Sequence, residues 1–265
     1  MGLRERLLRR LLGGALPPPP AAPLPRAVAT LDDYVPLHPG LRTLRPEHLR
    51  SDFVRDPLSS VEEVHPEIFA FRPVTDAWRQ QLVEEIIHFE AWAAETGCRH
   101  DPPNSMNSYG VVLDRVGFQA AMAALMEAVV SPLAVELFPA VGGGSLDSHH
   151  GFAVEYRPGA DVDLGFHVDA SDVTLNLCLG SQFEGGDLYF EGRRCGLHRQ
   201  TGCSPSDRFT WAHTPGVALL HAGKHRHGAL EITQGERLNL ILWCHSSAPP
   251  DDEQCADWCA RSMAR

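Results

Sequence analysis

His167-Val168-Asp169 places an imidazole and a carboxylate two residues apart. In an extended segment residues i and i+2 lie on one face, so both side chains can reach a single ion. Three further imidazoles follow at His221, His225 and His227, and Arg237 stands ten residues after His227. Two imidazoles and one carboxylate cover one face of an octahedral metal and leave three positions open. Imidazole suits Fe(II), and the carboxylate offsets its charge. Arg237 interrupts an otherwise apolar run, Leu238-Asn239-Leu240-Ile241-Leu242-Trp243. A guanidinium in such a place needs an anion, because an unpaired buried charge is costly.

The elements that must position these residues read mostly as strands. After the H-x-D triplet, Val173, Leu175, Leu177 and Leu179 alternate with Thr174, Asn176 and Cys178. That period of two predicts a strand with one apolar face and one polar face, the second suited to a pocket wall. Phe183 to Phe190, Gly216 to Leu220 and Gly235 to Trp243 predict further strands, the first entered through a Gly185-Gly186 turn. Two helices precede them. Thr75 is the expected N-cap of one running to about Glu95, with Trp78, Leu82, Ile86 and Phe89 as its apolar stripe. The other spans about Phe118 to Leu137 and is interrupted or kinked at Pro132. Gly142-Gly143-Gly144 then marks a loop before a first barrel strand near His149 to Tyr156.

The chain has 265 residues, a number suited to one domain plus an extension. With 23 Lys and Arg against 34 Asp and Glu its formal charge is −11, so no nucleic-acid partner is expected. No apolar run approaches the roughly 18 residues of a membrane span. Residues 1–26 are Arg- and Leu-rich, then Pro-rich, and read as a basic, disordered tail, with an organelle transit peptide as the alternative. Residues 27–63 lack a sustained period and read as an irregular extension with short helical turns. Residues 64–246 form the expected catalytic domain, and 247–265 a tail or short helix. The seven cysteines suit reduced thiols and a cytoplasmic setting. A small zinc site is conceivable around Cys195, His198 and Cys203, or Cys255 and Cys259, although the usual C-x2-C pairs are absent.

Four stretches carry a family likeness: Pro103 to Val111, Phe152 to Gly159, the run from His167 to Asn176, and Leu220-His221-Ala222-Gly223 with the H-x(7)-G-x-R ending. On these, about Val64 to Trp243 resembles the Fe(II)- and 2-oxoglutarate-dependent dioxygenases of the prolyl and lysyl hydroxylase type. The likeness is greatest to the 2-oxoglutarate and iron-dependent oxygenase domain-containing protein 2 group, then to the procollagen lysyl hydroxylase catalytic domain. The resemblance implies an α+β, mainly β fold: a double-stranded β-helix, the jelly roll shared with cupins, with supporting N-terminal helices. It implies His167, Asp169 and His227 as iron ligands, because the family's distal histidine precedes its basic residue by ten positions; His225 is the runner-up. Arg237 would hold the distal carboxylate of 2-oxoglutarate, with Tyr156 and Asn176 as further co-substrate contacts. The activity implied is hydroxylation of an unactivated C–H bond using O2, with succinate and CO2 as co-products and ascorbate as an aid. A peptidyl or protein side chain, lysine-like because Asp161, Asp163 and Asp172 flank the metal motif, is the expected substrate. A free amino acid or small natural product, hydroxylated or desaturated, is the alternative.

Overall fold

The computed structural model describes residues 28–180, 182–248 and Cys259. The expected basic tail, most of the C-terminal stretch and Cys255 lie outside these residues. The described residues contain thirteen strands, in chain order β1 (Glu62–His65), β2 (Ile68–Phe71), β3 (Gly110–Val112), β4 (Leu146–Tyr156), β5 (Leu164–His167), β6 (Val173–Cys178), β7 (Phe183–Gly185), β8 (Leu188–Arg193), β9 (Arg208–Trp211), β10 (Ala218–Ala222), β11 (His225–Ala229), β12 (Ile232–Gly235) and β13 (Arg237–Ser246). Seven form one antiparallel sheet in the order β1-β2-β10-β6-β13-β4-β3. Four form a facing sheet, β5-β11-β8-β9, and β12 pairs with β7. This is the expected mainly β jelly-roll architecture.

Period two sorts the large sheet's side chains into two environments. Val173, Leu175, Leu177 and Leu179 join Leu238, Leu240, Leu242 and Cys244 in the main core, which the helices cover. The alternate residues, Thr174, Asn176, Arg237, Asn239, Ile241 and Trp243, line a pocket on the opposite face. A strand whose even and odd positions must satisfy helices and a polar cavity respectively has little freedom to slip register.

The helices form from local signals. Helix α1 is the short turn Ser51–Arg55, and α2 spans Asp76–Thr96. The Thr75 hydroxyl accepts from the Trp78 amide at 3.3 Å, capping α2, and Gly97 closes it at φ 71°. Trp78, Leu82, Ile86 and Phe89 are all buried, each contributing roughly 1.5–3 kcal/mol. The second helical stretch is divided as its proline requires. Helix α3 (Gln119–Leu125) passes through a π turn at Met126–Val130 into α4 (Ser131–Leu137), with Pro132 near the start of α4. Gln119–Leu137 is long and apolar enough to cross a membrane, which the residue-by-residue reading did not anticipate. In the fold, Met122, Leu125, Val129, Val130 and Leu133 from this stretch are buried in the core.

Residues 28–63 hold short helical turns, as their composition suggests, and pack on the helical side. Tyr34 donates to the Glu85 carboxylate at 2.6 Å, and Phe53 stacks on Phe71 with centroids 5.5 Å apart. The Gly185-Gly186 turn has positive φ at both glycines but does not close a hairpin. It hands the chain from β7, paired with β12, to β8, paired with β9 and β11.

Candidate active site

His167 ends β5 and His227 lies opposite it on β11, as direct antiparallel partners. Their ring centroids are 4.3 Å apart. Asp169 follows the end of β5, its amide fixed to the Gly223 carbonyl at 2.9 Å. His167 Nε2 lies 3.5 Å from Asp169 Oδ1, and His227 Nε2 lies 3.7 Å from Oδ2. One ligand atom from each residue falls within 4.8 Å of the other two.

The surroundings fix how these groups point. His167 Nδ1 contacts the Gly165 carbonyl at 2.8 Å, and His227 Nδ1 contacts the His225 carbonyl at 2.8 Å. A carbonyl only accepts, so both Nδ1 atoms carry the proton and both Nε2 lone pairs are left for a metal. Thr174 donates to Asp169 Oδ2 at 2.7 Å and is itself paired with Ser171 at 2.7 Å. Burial pushes the Asp169 carboxyl up, but His227 and His167 outweigh it and hold the group below the usual carboxylate range. Burial lowers His227 to about 3, whereas contact with Asp169 outweighs burial at His167 and raises it. Two neutral imidazoles and an ionised carboxylate are the protonation states a metal requires, and the donor set fits Fe(II).

The other two histidines take different places. A bulge separates His225 from His227 in the pairing of β11 with β8, so simple alternation does not hold there. His225 is buried edge-on against Phe190, centroids 5.4 Å apart, and does not line the pocket. His221 lies on β10 rather than in a turn and packs 4.8 Å from the His227 ring.

Arg237 starts β13 directly opposite Tyr156 on β4. It is 1% exposed, its guanidinium carbon lies 4.5 Å from the centre of the Tyr156 ring, and it donates to the Gly186 carbonyl. Its Nε has no hydrogen-bond partner, and among the described residues no carboxylate lies within ion-pair distance of it. Tyr156 accepts from Asn107 Nδ2 at 3.2 Å, which leaves its hydroxyl proton for another acceptor, and burial raises its pKa so that it stays neutral. Asn176 Oδ1 accepts from Asn239 Nδ2 at 2.7 Å. Asn239 Nδ2 also lies 3.3 Å from His213 Nδ1, and the other nitrogen of that ring donates to the Val217 carbonyl at 3.0 Å.

All six expected site residues line one pocket. Thr174, Asn239 and Asn107 were not singled out from sequence. The first two occupy pocket-facing positions of alternating strands, a signal the sequence does carry. His213 has no sequence pattern at all. Two of the three flanking aspartates are engaged elsewhere: Asp161 accepts from the Ser108 and Tyr109 amides at 2.7 and 3.2 Å, and Asp172 from the Ser246 amide at 2.8 Å.

Residues 30–143 match the family described as the OGFOD2-like domain. The 2-oxoglutarate and iron-dependent oxygenase domain-containing protein CP2 of Arabidopsis thaliana is 43% identical over 81% of this chain and 57% of its own length. The 2-oxoglutarate and iron-dependent oxygenase domain-containing protein 2 of Xenopus tropicalis is 37% identical over 81% of this chain and 63% of its own. The chain thus spans little more than half the length of these curated relatives. In fold it is similar to the non-heme alpha-ketoglutarate-dependent carbocyclase SnoK from nogalamycin biosynthesis, with a TM-score of 0.50, 12% identity, and 81% and 97% of the two chains covered. Residues 30–143 thus carry an OGFOD2-like domain, and the chain is similar over most of its length to the 2-oxoglutarate and iron-dependent oxygenases.

Proposed function

We propose that the protein hydroxylates an unactivated C–H bond in a peptidyl or protein side chain, one oxygen atom of O2 entering the product while 2-oxoglutarate leaves as succinate and CO2. His167, Asp169 and His227 hold Fe(II); Arg237, Tyr156 and Asn176 hold 2-oxoglutarate. The observation that carries this reading is a buried guanidinium without a carboxylate partner among the described residues, in the same pocket as the His-Asp-His cluster. Leaving such a charge uncompensated costs several kcal/mol, so the pocket is built for an anion.

Iron bound at the cluster supplies oxygen activation coupled to oxidation of the keto acid. The chain's own residues bind and orient. Arg237 offers a fork of N–H donors to a carboxylate. The Tyr156 hydroxyl donates a further hydrogen bond, and Asn239 holds Asn176 in place so that the Asn176 amide N–H groups serve as donors. Phe152, Val154, Leu164 and Ile241 give the pocket apolar walls that exclude water and suit an aliphatic stem. Trp243 lines the same pocket with its indole N–H unpartnered, a donor for a substrate carbonyl.

The peptidyl substrate class is supported by a relative at 28% identity over 77% of this chain, named as a multifunctional procollagen lysine hydroxylase and glycosyltransferase of Rattus norvegicus. A lysine-like side chain is accordingly the first candidate, with its methylenes on the apolar walls. The test is mass spectrometry of lysyl and prolyl peptides, then free amino acids, incubated with Fe(II), ascorbate and 2-oxoglutarate. A one-oxygen mass gain matched by succinate in a peptide supports the reading. The same gain only in free amino acids replaces the substrate class, and product formation without 2-oxoglutarate overturns the reaction.

A further inference from the structure

A second group of metal-ligating side chains lies outside the pocket. Cys195 follows the end of β8 and opens the short helical turn Gly196–His198. Its sulfur is 3.2 Å from His198 Nδ1, and the sulfur of Cys259 approaches the same nitrogen at 3.8 Å. The ligand atoms of the three residues all lie within 4.8 Å of one another. Both thiols are buried, Cys259 completely, and neither is in a disulfide.

Hydrogen bonding alone accounts poorly for this arrangement. One ring nitrogen carries at most one proton, yet two sulfurs crowd it. The Cys195 amide points at the Cys259 sulfur at 3.4 Å, a contact that favours a thiolate over a thiol. A tetrahedral zinc with Zn–S of about 2.3 Å and Zn–N of about 2.0–2.1 Å separates sulfur from nitrogen by about 3.6 Å. The observed separations of 3.2 and 3.8 Å bracket that value. Cys203, eight residues after Cys195, accepts from Arg208 at 3.3 Å and is not part of the cluster.

We propose that Cys195, His198 and Cys259 bind a zinc ion that fastens Cys259 to the end of β8. Two thiolates and an imidazole are zinc's preferred donors and differ in softness from the His-Asp-His cluster, so the two sites select different metals. The fourth position goes to water. The location gives the ion a structural task. The residues between β8 and β9 contain only short helical turns. Arg193, two residues before Cys195, is the register partner of His225 on β11, the strand that carries His227. The ion would anchor this stretch where it borders the strand of the distal ligand. The proposal does not depend on the reaction assigned above.

Cobalt(II) substitution of the full chain tests it, because a thiolate-to-cobalt charge-transfer band cannot come from the His-Asp-His cluster. The expected result is one zinc per chain as isolated, a charge-transfer band on cobalt exchange, and loss of both in Cys195→Ser and in Cys259→Ser. The band should persist in His167→Ala. Absence of the band, its persistence in both serine variants, or a Cys195–Cys259 disulfide in protein isolated without oxidant overturns the proposal. Should a serine variant fail to fold, alkylation of the wild type decides. Cys195 and Cys259 should react only after zinc is chelated, and equal reactivity with and without chelator counts against the site.

Discussion

Arg237 and the two facing histidines do the most at the scale of single residues. Removing the Arg237 fork deletes charge-assisted hydrogen bonds worth roughly 1.5–3 kcal/mol each. Arg237→Ala should therefore raise the 2-oxoglutarate concentration for half-maximal succinate formation by at least about tenfold. Arg237→Lys should recover part of this, because a point charge cannot reproduce the fork. Tyr156→Phe, which loses one neutral donor, should do less harm than either. An unchanged curve for Arg237→Ala would make the arginine structural. The histidines make a pH prediction. A metal needs neutral imidazole; His167 is raised above its ordinary value, while His227 is lowered to about 3. As pH falls His167 gains its proton well before His227 does, so Mn(II) affinity, read as a redox-inert stand-in for iron, should fall, each ion bound releasing about one proton. A slope of two protons would show that both rings titrate together. The H-x-D pair and Arg237 were legible because their chemistry is local. The distal histidine was not settled by alternation, because the bulge beside it breaks the period of two.

Close approach of strands sets the site at the scale of elements. A Cβ on Gly228 would lie 2.5 Å from the Leu164 carbonyl of β5 and 2.4 Å from the Tyr189 hydroxyl of β8. Gly228→Ala should push β5 off β11, separating His167 from His227. Overpacking of this kind costs roughly 1–3 kcal/mol, and the metal affinity should drop with it. A variant with wild-type metal binding and melting temperature would show that the strands have slack. His225→Ala makes the converse test. It empties a buried contact with Phe190, so it should lower the melting temperature while metal binding survives. Strands β6 and β13 and helix α2 were readable because apolar period and caps are written in adjacent residues. The hand-over at Gly185-Gly186 was not. Two glycines announce a turn, but which strand each arm will pair with depends on distant partners.

The whole molecule carries excess negative charge, and some of it is concentrated. Glu90 on α2 is raised to about 7, first by burial and then by Glu155 and Glu236. A carboxyl raised in the folded state opposes folding once ionised: the penalty is absent below the unfolded value of 4.5 and grows as pH rises through about 7. Glu90→Gln should therefore raise the melting temperature at pH 8 by a few degrees and change it little near pH 4.5. Equal effects at both pH values would mean that the glutamate is solvated. The layered arrangement follows from element type and order, which the sequence displays. The place of residues 28–63 does not, because Tyr34 and Phe53 find their partners at Glu85 and Phe71 through tertiary packing alone.

The account stands most directly on the pocket holding metal and keto acid together. Binding of labelled 2-oxoglutarate to the protein without oxygen, with and without Fe(II), measures this. The account predicts metal-dependent binding in the wild type and in His225→Ala, loss of the metal dependence in His227→Ala, and binding weakened about tenfold or more in Arg237→Ala. Binding that ignores the metal, or that survives unchanged in both His227→Ala and Arg237→Ala, would contradict it.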